Sequence, residues 1–527
     1  MTAERDLSIG VDVGGTNTDT VVVDSDGAVR AWTKQATTED VVGGIRAGIS
    51  AVLAQLGDGR SRVSRVMLGT THATNAIVAR RNLDRVALVR LGAPAATEWP
   101  PLTGWPADLS DRVLAGSAML GGGHMVDGTP ITPLDRDGIR RFIDSLDGAF
   151  DSVAVCGIFS PSSPDQEREV EALIHAHLGP TVPVFLSQDI GPDGLLEREN
   201  ATVLNAALRG VASDVTRALV AVVAEEGLDV ATFFAQNDGT LMSLDYAVRY
   251  PVLTIGSGPA NSIRGAAFLS GASHAIVVDV GGTTSDLGVL VDGFPRESTL
   301  PREIGGVRTN FRMPDILSLG IGGGTIIDTA TGAVGPGSVG YRIAQEGLLF
   351  GGSTATLTDA AAAAGHGIGG RALPAMPAAR REALLRAIAV AHERIEEAVE
   401  RLSLGRVDLP LIVVGGGAML VPDGLSGVGP VIRPERGEVA NAVGAAISLA
   451  GGRADQISDL EDRDAAIAAA SQAAIAKAIQ AGADPLTVEV VEVLETSLSY
   501  TTRPTIKVSV KAAGPLSQLA AVAPAVG

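Results

Sequence analysis

A chain of 527 residues, 46% hydrophobic and 19% charged, has apolar material for two or more globular units. Its net charge of −19, with no long basic run, argues against nucleic acid and anionic membranes as partners, because both need a positive surface. The single cysteine, Cys156, leaves no intrachain disulfide and, with no readable leader or apolar span, sets the expectation of a reducing cytoplasm.

In chain order, the apolar run 7–11, the segment Asp12-Val13-Gly14-Gly15-Thr16-Asn17-Thr18-Asp19 and the run 20–23 read as strand, tight glycine turn, strand. A helix is predicted over 38–55, with Asp40 in its first turn, and a strand over 63–68 that leads into Gly69-Thr70-Thr71-His72-Ala73-Thr74-Asn75-Ala76. Another strand covers 85–89, and residues 91–110, rich in Pro, Gly and Trp, read as an irregular excursion. Then come a helix over 135–146, a strand over 152–159, a helix over 164–177, a strand over 182–186 and a long helical pattern over 200–226. Cys156 falls inside a buried-strand pattern and reads as a core thiol. Residues 251–265 read as a hinge, and a second half opens at 276. It carries a helix over 378–402, a strand over 409–414 that runs into Gly415-Gly416-Gly417, and a small-residue helix over 439–449. After Gly452 an Ala-rich helix is predicted over 464–480, followed by paired strands over 486–494 and 505–510 and an Ala/Pro-rich end over 513–527. The expected units are 1–250, 251–452 and 453–527.

One segment occurs twice. Asp279-Val280-Gly281-Gly282-Thr283-Thr284-Ser285-Asp286 repeats the first hairpin with six of eight positions identical, again between two apolar runs. Paired glycines allow a sharp turn and close approach to a ligand. Successive N–H groups in such a turn form a nest for anions. Gly14, Gly15, Thr16 and Asn17, with Gly281, Gly282, Thr283 and Thr284, are therefore candidates to hold the phosphates of a nucleotide such as ATP. Asp12 and Asp279 are candidates to hold Mg²⁺ through its waters, while Asp19 and Asp286 either share that role or brace the turns. A P-loop is excluded, because no Gly-Lys-Ser/Thr occurs and each turn leads into a strand. Gly322, Gly323 and Gly324 read equally as a phosphate cradle or a packing turn. Gly415, Gly416 and Gly417 let backbone lie against a purine or ribose, or else simply turn the chain.

Duplicated hairpins with a late glycine motif resemble the actin, Hsp70 and sugar-kinase ATPase superfamily. The segments 69–76, Glu197-Arg198-Glu199-Asn200-Ala201, Gly256-Ser257-Gly258-Pro259-Ala260, Gly320-Ile321-Gly322-Gly323-Gly324-Thr325 and Asn441-Ala442-Val443-Gly444 further resemble the hydantoinase A / 5-oxoprolinase family. The family pattern is left at Gly337-Ser338-Val339-Gly340-Tyr341, where a Pro-Gly-Pro run is usual. The resemblance implies an α/β fold of two actin-like (ribonuclease H-like) domains with a nucleotide cleft between them, here with a small C-terminal α+β tail. It implies ATP- and Mg²⁺-dependent opening of a cyclic amide, or a related carboxylation, often with a hydantoinase B-like subunit and in an oligomer. A small-molecule or sugar kinase and a non-catalytic ATP-binding subunit remain the alternatives. His72, Glu197 and Arg198 are then further candidates to touch substrate, each with a purely structural alternative.

Overall fold

The computed structural model describes residues 5–15, 17–36, 41–192, 194–298, 300–406, 408–498 and 503–517. Thr16, Thr38, Asp40 and the end from 518 onward, all named above, lie outside the described residues.

The first hairpin pairs strands Leu7–Val13 and Asn17–Val23, with Asp12 opposite Asp19 and the Gly14 N–H donating to the Asn17 carbonyl at 3.0 Å. The second pairs Ala275–Val280 with Ser285–Val291 in the same register, with Asp279 opposite Asp286 and the Gly281 N–H donating to the Thr284 carbonyl at 2.8 Å. Each hairpin's first strand has a parallel neighbour on its other edge: Val63–Thr70 in one sheet, Leu411–Val414 in the other. All seven residues of Leu7–Val13 are buried, as expected of a strand covered on both faces. The sequence repeat is thus a repeat of topology.

The first sheet has nine strands, in the order 489–498, 505–514, 450–459, 241–243, 231–235, 63–70, 7–13, 17–23, 29–36. The residues read as a C-terminal tail therefore add strands to this sheet. Helix Arg463–Gln480 covers them with Ala466, Ala470, Ala474 and Ala478, all buried at four-residue spacing. Small residues are needed there, because a Cβ on Gly452 would stand 2.2 Å from the Ala478 nitrogen. The second sheet is built on 275–291 and 411–414. A separate parallel sheet of four strands, 114–121, 86–93, 152–157 and 184–186, carries helices Arg136–Ser145, Asp165–Leu178 and Leu195–Ala207.

Two crossed helices join the halves. Ala440–Ile447 lies on the first sheet and Ser257–Ser270 on the second. A Cβ on Gly444 would stand 1.9 Å from the Asn261 carbonyl oxygen, and one on Gly265 1.9 Å from that of Ala440, so backbone meets backbone at the crossing. The stretch read as a hinge is consequently ordered: a 3-10 turn, Pro251–Thr254, then this packed helix. The long helical pattern over 200–226 is two helices, Leu195–Ala207 and Arg209–Glu225. Among the described residues no helix is long and apolar enough to cross a membrane.

Candidate functional site

The ends of the two hairpin strands converge at the helix crossing. Asn441, in the first turn of Ala440–Ile447, donates from Nδ2 to Asp12 Oδ2 at 3.3 Å and stands near enough to Asp279 to favour its ionised carboxyl. Ser262, on the other crossed helix, donates to Asp279 Oδ2 at 2.7 Å. The Lys34 ammonium lies 2.7 Å from Asp19 Oδ2 and donates to the Glu438 carbonyl at 3.0 Å, tying the first hairpin to the approach of the crossing helix. Ser318 holds Asp286.

Burial sets the protonation of this cluster. Asp12 is pushed up to about 7 by loss of solvation, and next by repulsion from Asp19. Asp286 is pushed up to about 6, again mainly by burial, and Asp19 and Asp279 are raised for the same reason. Asp12 Oδ1 and both amide atoms of Asn261 are buried with no hydrogen-bond partner among the described residues. They are also close together: a Cβ on Gly69 would stand 2.4 Å from Asn261 Nδ2 and 2.7 Å from Asp12 Oδ1. Buried carboxylates in excess of cations, with orphaned oxygen and amide atoms beside them, suit a hard cation. Among the described residues no three His, Cys, Asp or Glu side chains are grouped to ligate a metal directly.

The turns themselves are open. Gly15 has no atom within 4 Å of where a Cβ would be, and Thr283 and Thr284 are exposed. Of the third glycine run, Gly417 donates to the Val280 carbonyl at 2.8 Å and Gly415 to that of Gly437 at 2.9 Å. Gly415, at φ +88°, leaves no room for a side chain, which would meet Asp279 Oδ1 at 2.3 Å. Only Gly416, exposed and beside Lys34, faces outward. The run Gly322, Gly323 and Gly324 requires a correction. Its N–H groups donate to Thr325 Oγ1, the Gly281 carbonyl and the Gly282 carbonyl at 2.8, 3.0 and 2.7 Å. It braces the second turn from below and has no N–H left for a phosphate.

His72 comes to the first hairpin because Val63–Thr70 pairs with Leu7–Val13, setting Gly69 opposite Asp12. Its Nδ1 lies 2.6 Å from Thr70 Oγ1, and burial lowers its pKa, so the ring is neutral. Arg198 is a second correction. It is fully buried, and its guanidinium donates to Ser187 Oγ at 2.9 Å and to the Gly157 carbonyl, so it cannot touch a substrate. Glu197, half-buried, pairs with Arg308 at 3.3 Å. The neighbouring Glu199 forms a buried bidentate pair with Arg90, both contacts at 2.6 Å. Cys156 is buried and its thiol is pushed up to about 12 by burial, the behaviour of a core residue. Sequence reasoning missed Lys34, Asn261 and Ser262 as site residues. Asn441 stood inside a family-like segment without a role.

Two topologically identical glycine hairpins, one per sheet, meeting over crossed helices define the actin-like (ribonuclease H-like) class of α/β fold. Comparison with known proteins carries this further. The hydantoinase/oxoprolinase N-terminal region matches residues 8–178 and the hydantoinase/oxoprolinase domain residues 198–402. The chain belongs to the hydantoinase/oxoprolinase family. It is 28% identical to the caprolactamase subunit alpha of Pseudomonas jessenii over 77% of this chain and 61% of that one. It is 25% identical to the acetone carboxylase beta subunit of Xanthobacter autotrophicus over 67% of this chain and 53% of that one. It therefore spans between half and two-thirds of the length of these relatives. The crystal structure of the ATP-dependent caprolactamase from Pseudomonas jessenii superposes with a TM-score of 0.78 at 21% identity, over 97% of this chain and 88% of that one.

Proposed function

We propose that this chain uses ATP to open a cyclic amide of the hydantoin, 5-oxoproline or lactam type. The approach of Asp12 and Asp279 to each other beside Asn441, beneath two open glycine turns, is the observation that supports it most. Similarity to the caprolactamase subunit favours an amide over a ketone as substrate.

An amide carbonyl is a poor electrophile. Transfer of the γ-phosphoryl group to the amide oxygen releases ADP and leaves an imidate phosphate. Water then adds to the ring carbon, and the C–N bond breaks to give an amine and an acyl phosphate. A second water attacks that carbon and releases phosphate carrying the former amide oxygen. Phosphoryl transfer needs mainly positioning and charge neutralisation. The turns at Gly14-Gly15 and Gly281-Gly282, with Asn17, Thr283 and Thr284, would line the polyphosphate, the N–H groups of Gly14 and Gly281 closing the turns and those of Gly15 and Gly282 facing the ligand, and Gly416 would line the nucleoside. Asp12 and Asp279 would hold hydrated Mg²⁺, which when bound supplies positive charge against the phosphate oxygens. Asn441 and Ser262 orient those carboxylates, Lys34 fixes Asp19, and neutral His72 stands ready to accept a proton near the first hairpin. The relatives are named as subunits and are longer, so a hydantoinase B-like partner completes the enzyme in this reading, in a cytoplasmic oligomer.

The test is ATP turnover by the purified chain with Mg²⁺, alone and with a candidate partner subunit, against hydantoins, 5-oxoproline and lactams. ADP, phosphate and ring-opened acid formed together are expected. A phosphorylated product accumulating in stoichiometric amounts would replace this reading with a kinase, and turnover dependent on a ketone and bicarbonate would replace it with a carboxylase.

A further inference from the structure

Away from the hairpins, two adjoining hollows of about 440 and 470 Å³ open between the four-stranded layer and the C-terminal part of the first sheet. Both share Arg168, Gln188, Asp189, Tyr246 and Lys477 in their walls. That size suits a small metabolite. The walls carry unmatched charge of both signs. Arg168, on helix Asp165–Leu178, and Lys477, on helix Arg463–Gln480, have no ion-pair partner among the described residues. Among the described residues the exposed Asp189 has only Arg249 as an ion-pair partner, at a distant 3.9 Å.

The turn that carries Gln188 and Asp189 is held rigidly. Ser187 Oγ donates to Glu167 Oε1 at 2.6 Å, the Gln188 N–H donates to Glu167 Oε2 at 3.1 Å, and Arg198 donates to Ser187 Oγ at 2.9 Å. Glu167 and Arg198 are both wholly buried. This gives the Glu197-Arg198-Glu199-Asn200 segment a role: Arg198 is a positioning residue for a turn that faces these hollows.

We propose that the double hollow binds a ring-opened ω-amino acid, with its carboxylate on Arg168 and Lys477 and its ammonium on Asp189. The choice of ligand rests on the cyclic-amide reading, because opening a lactam creates one carboxylate and one amine in the same molecule. The lining itself asks for both charges. A neutral lactam can hydrogen-bond these groups but neutralises no charge, and a simple anion leaves Asp189 unmatched.

The experiment is a calorimetric titration of the full chain, without nucleotide, with 6-aminohexanoate, hexanoate and the seven-membered lactam. The amino acid is expected to saturate one site at least about tenfold more tightly than either analogue. The double variant R168Q/K477Q, changed at two exposed positions, is expected to lose at least about tenfold of that affinity while binding ATP as before. Equal binding of hexanoate, tighter binding of the lactam, or an unaltered double variant would overturn the proposal. No turnover is involved. A chain that fails to open amides would therefore defeat the functional reading without touching this result, and a flat titration would defeat the site while leaving ring opening intact.

Discussion

Asp12→Asn should stabilise the metal-free, nucleotide-free protein at pH 8 while abolishing its activity. Burial raises the Asp12 carboxyl from its ordinary 3.8 to about 7. At about 1.4 kcal/mol per pKa unit, holding it ionised in the fold costs about 4 kcal/mol. The sign follows from the direction of the shift. The folded protein binds this proton more tightly than the unfolded chain, so the stabilisation it brings is present at low pH and is lost as pH rises from about 4 through about 7. Asparagine is neutral throughout, can accept from Asn441, and can donate towards the unpartnered Asn261 amide. Urea unfolding at pH 5 and pH 8 reads the effect. The variant should gain several kcal/mol on wild type at pH 8, and the gain should shrink steadily towards pH 5. ATP turnover should fall by at least about a thousandfold, because a carboxylate that holds the hydrated Mg²⁺ in this reading is gone. An Asp12→Asn protein less stable than wild type at pH 8, or more stable by the same amount at both pH values, would refute the electrostatic argument.

Lys34→Met removes the cation paired with Asp19 and unties the Glu438 carbonyl. It should cost about 2 kcal/mol in urea unfolding and weaken ATP binding measured by titration. Gly444→Ala forces a methyl group to 1.9 Å from the Asn261 carbonyl oxygen and must part the crossed helices. A loss of about 3 kcal/mol or more is expected, visible as a lowered thermal midpoint, and a tolerated alanine would mean that the crossing is looser than described. Arg90→Met leaves Glu199 buried without its partner. About 3 to 5 kcal/mol of stability should go, with residual folded protein retaining its ATP affinity, because this pair lies in the four-stranded layer.

The hairpins were legible because their chemistry is local. Asp-Val-Gly-Gly between apolar runs specifies a turn and a register, and the observed pairings, Asp12 with Asp19 and Asp279 with Asp286, follow from the spacing. What the hairpins rest on was not legible. Lys34 reaches the aspartates from a strand, Asn261 and Ser262 from one crossed helix and Asn441 from the other, and although Asn441 stood in a family-like segment, nothing local gave any of them a role before the sheets are assembled. Gly322, Gly323 and Gly324 show the limit of composition: three glycines meant close approach, but to the second turn's carbonyls. Arg198 shows the same limit for charge, since an arginine in a helix start says nothing of whether its guanidinium faces solvent or a core. The C-terminal strands were read correctly as a pair, yet their docking onto the first sheet depends on Gly452 and the alanine face of helix Arg463–Gln480, a match of shapes across the chain.

The central claim is that these hairpins drive a phosphoryl group onto an amide oxygen. Its most direct test is a cyclic amide labelled with ¹⁸O at the carbonyl, turned over with unlabelled ATP and water, with the released phosphate analysed by mass spectrometry. Label should appear in phosphate, one atom for each ring opened. Phosphate free of label, with all of it retained in the carboxylate of the product, would contradict the account.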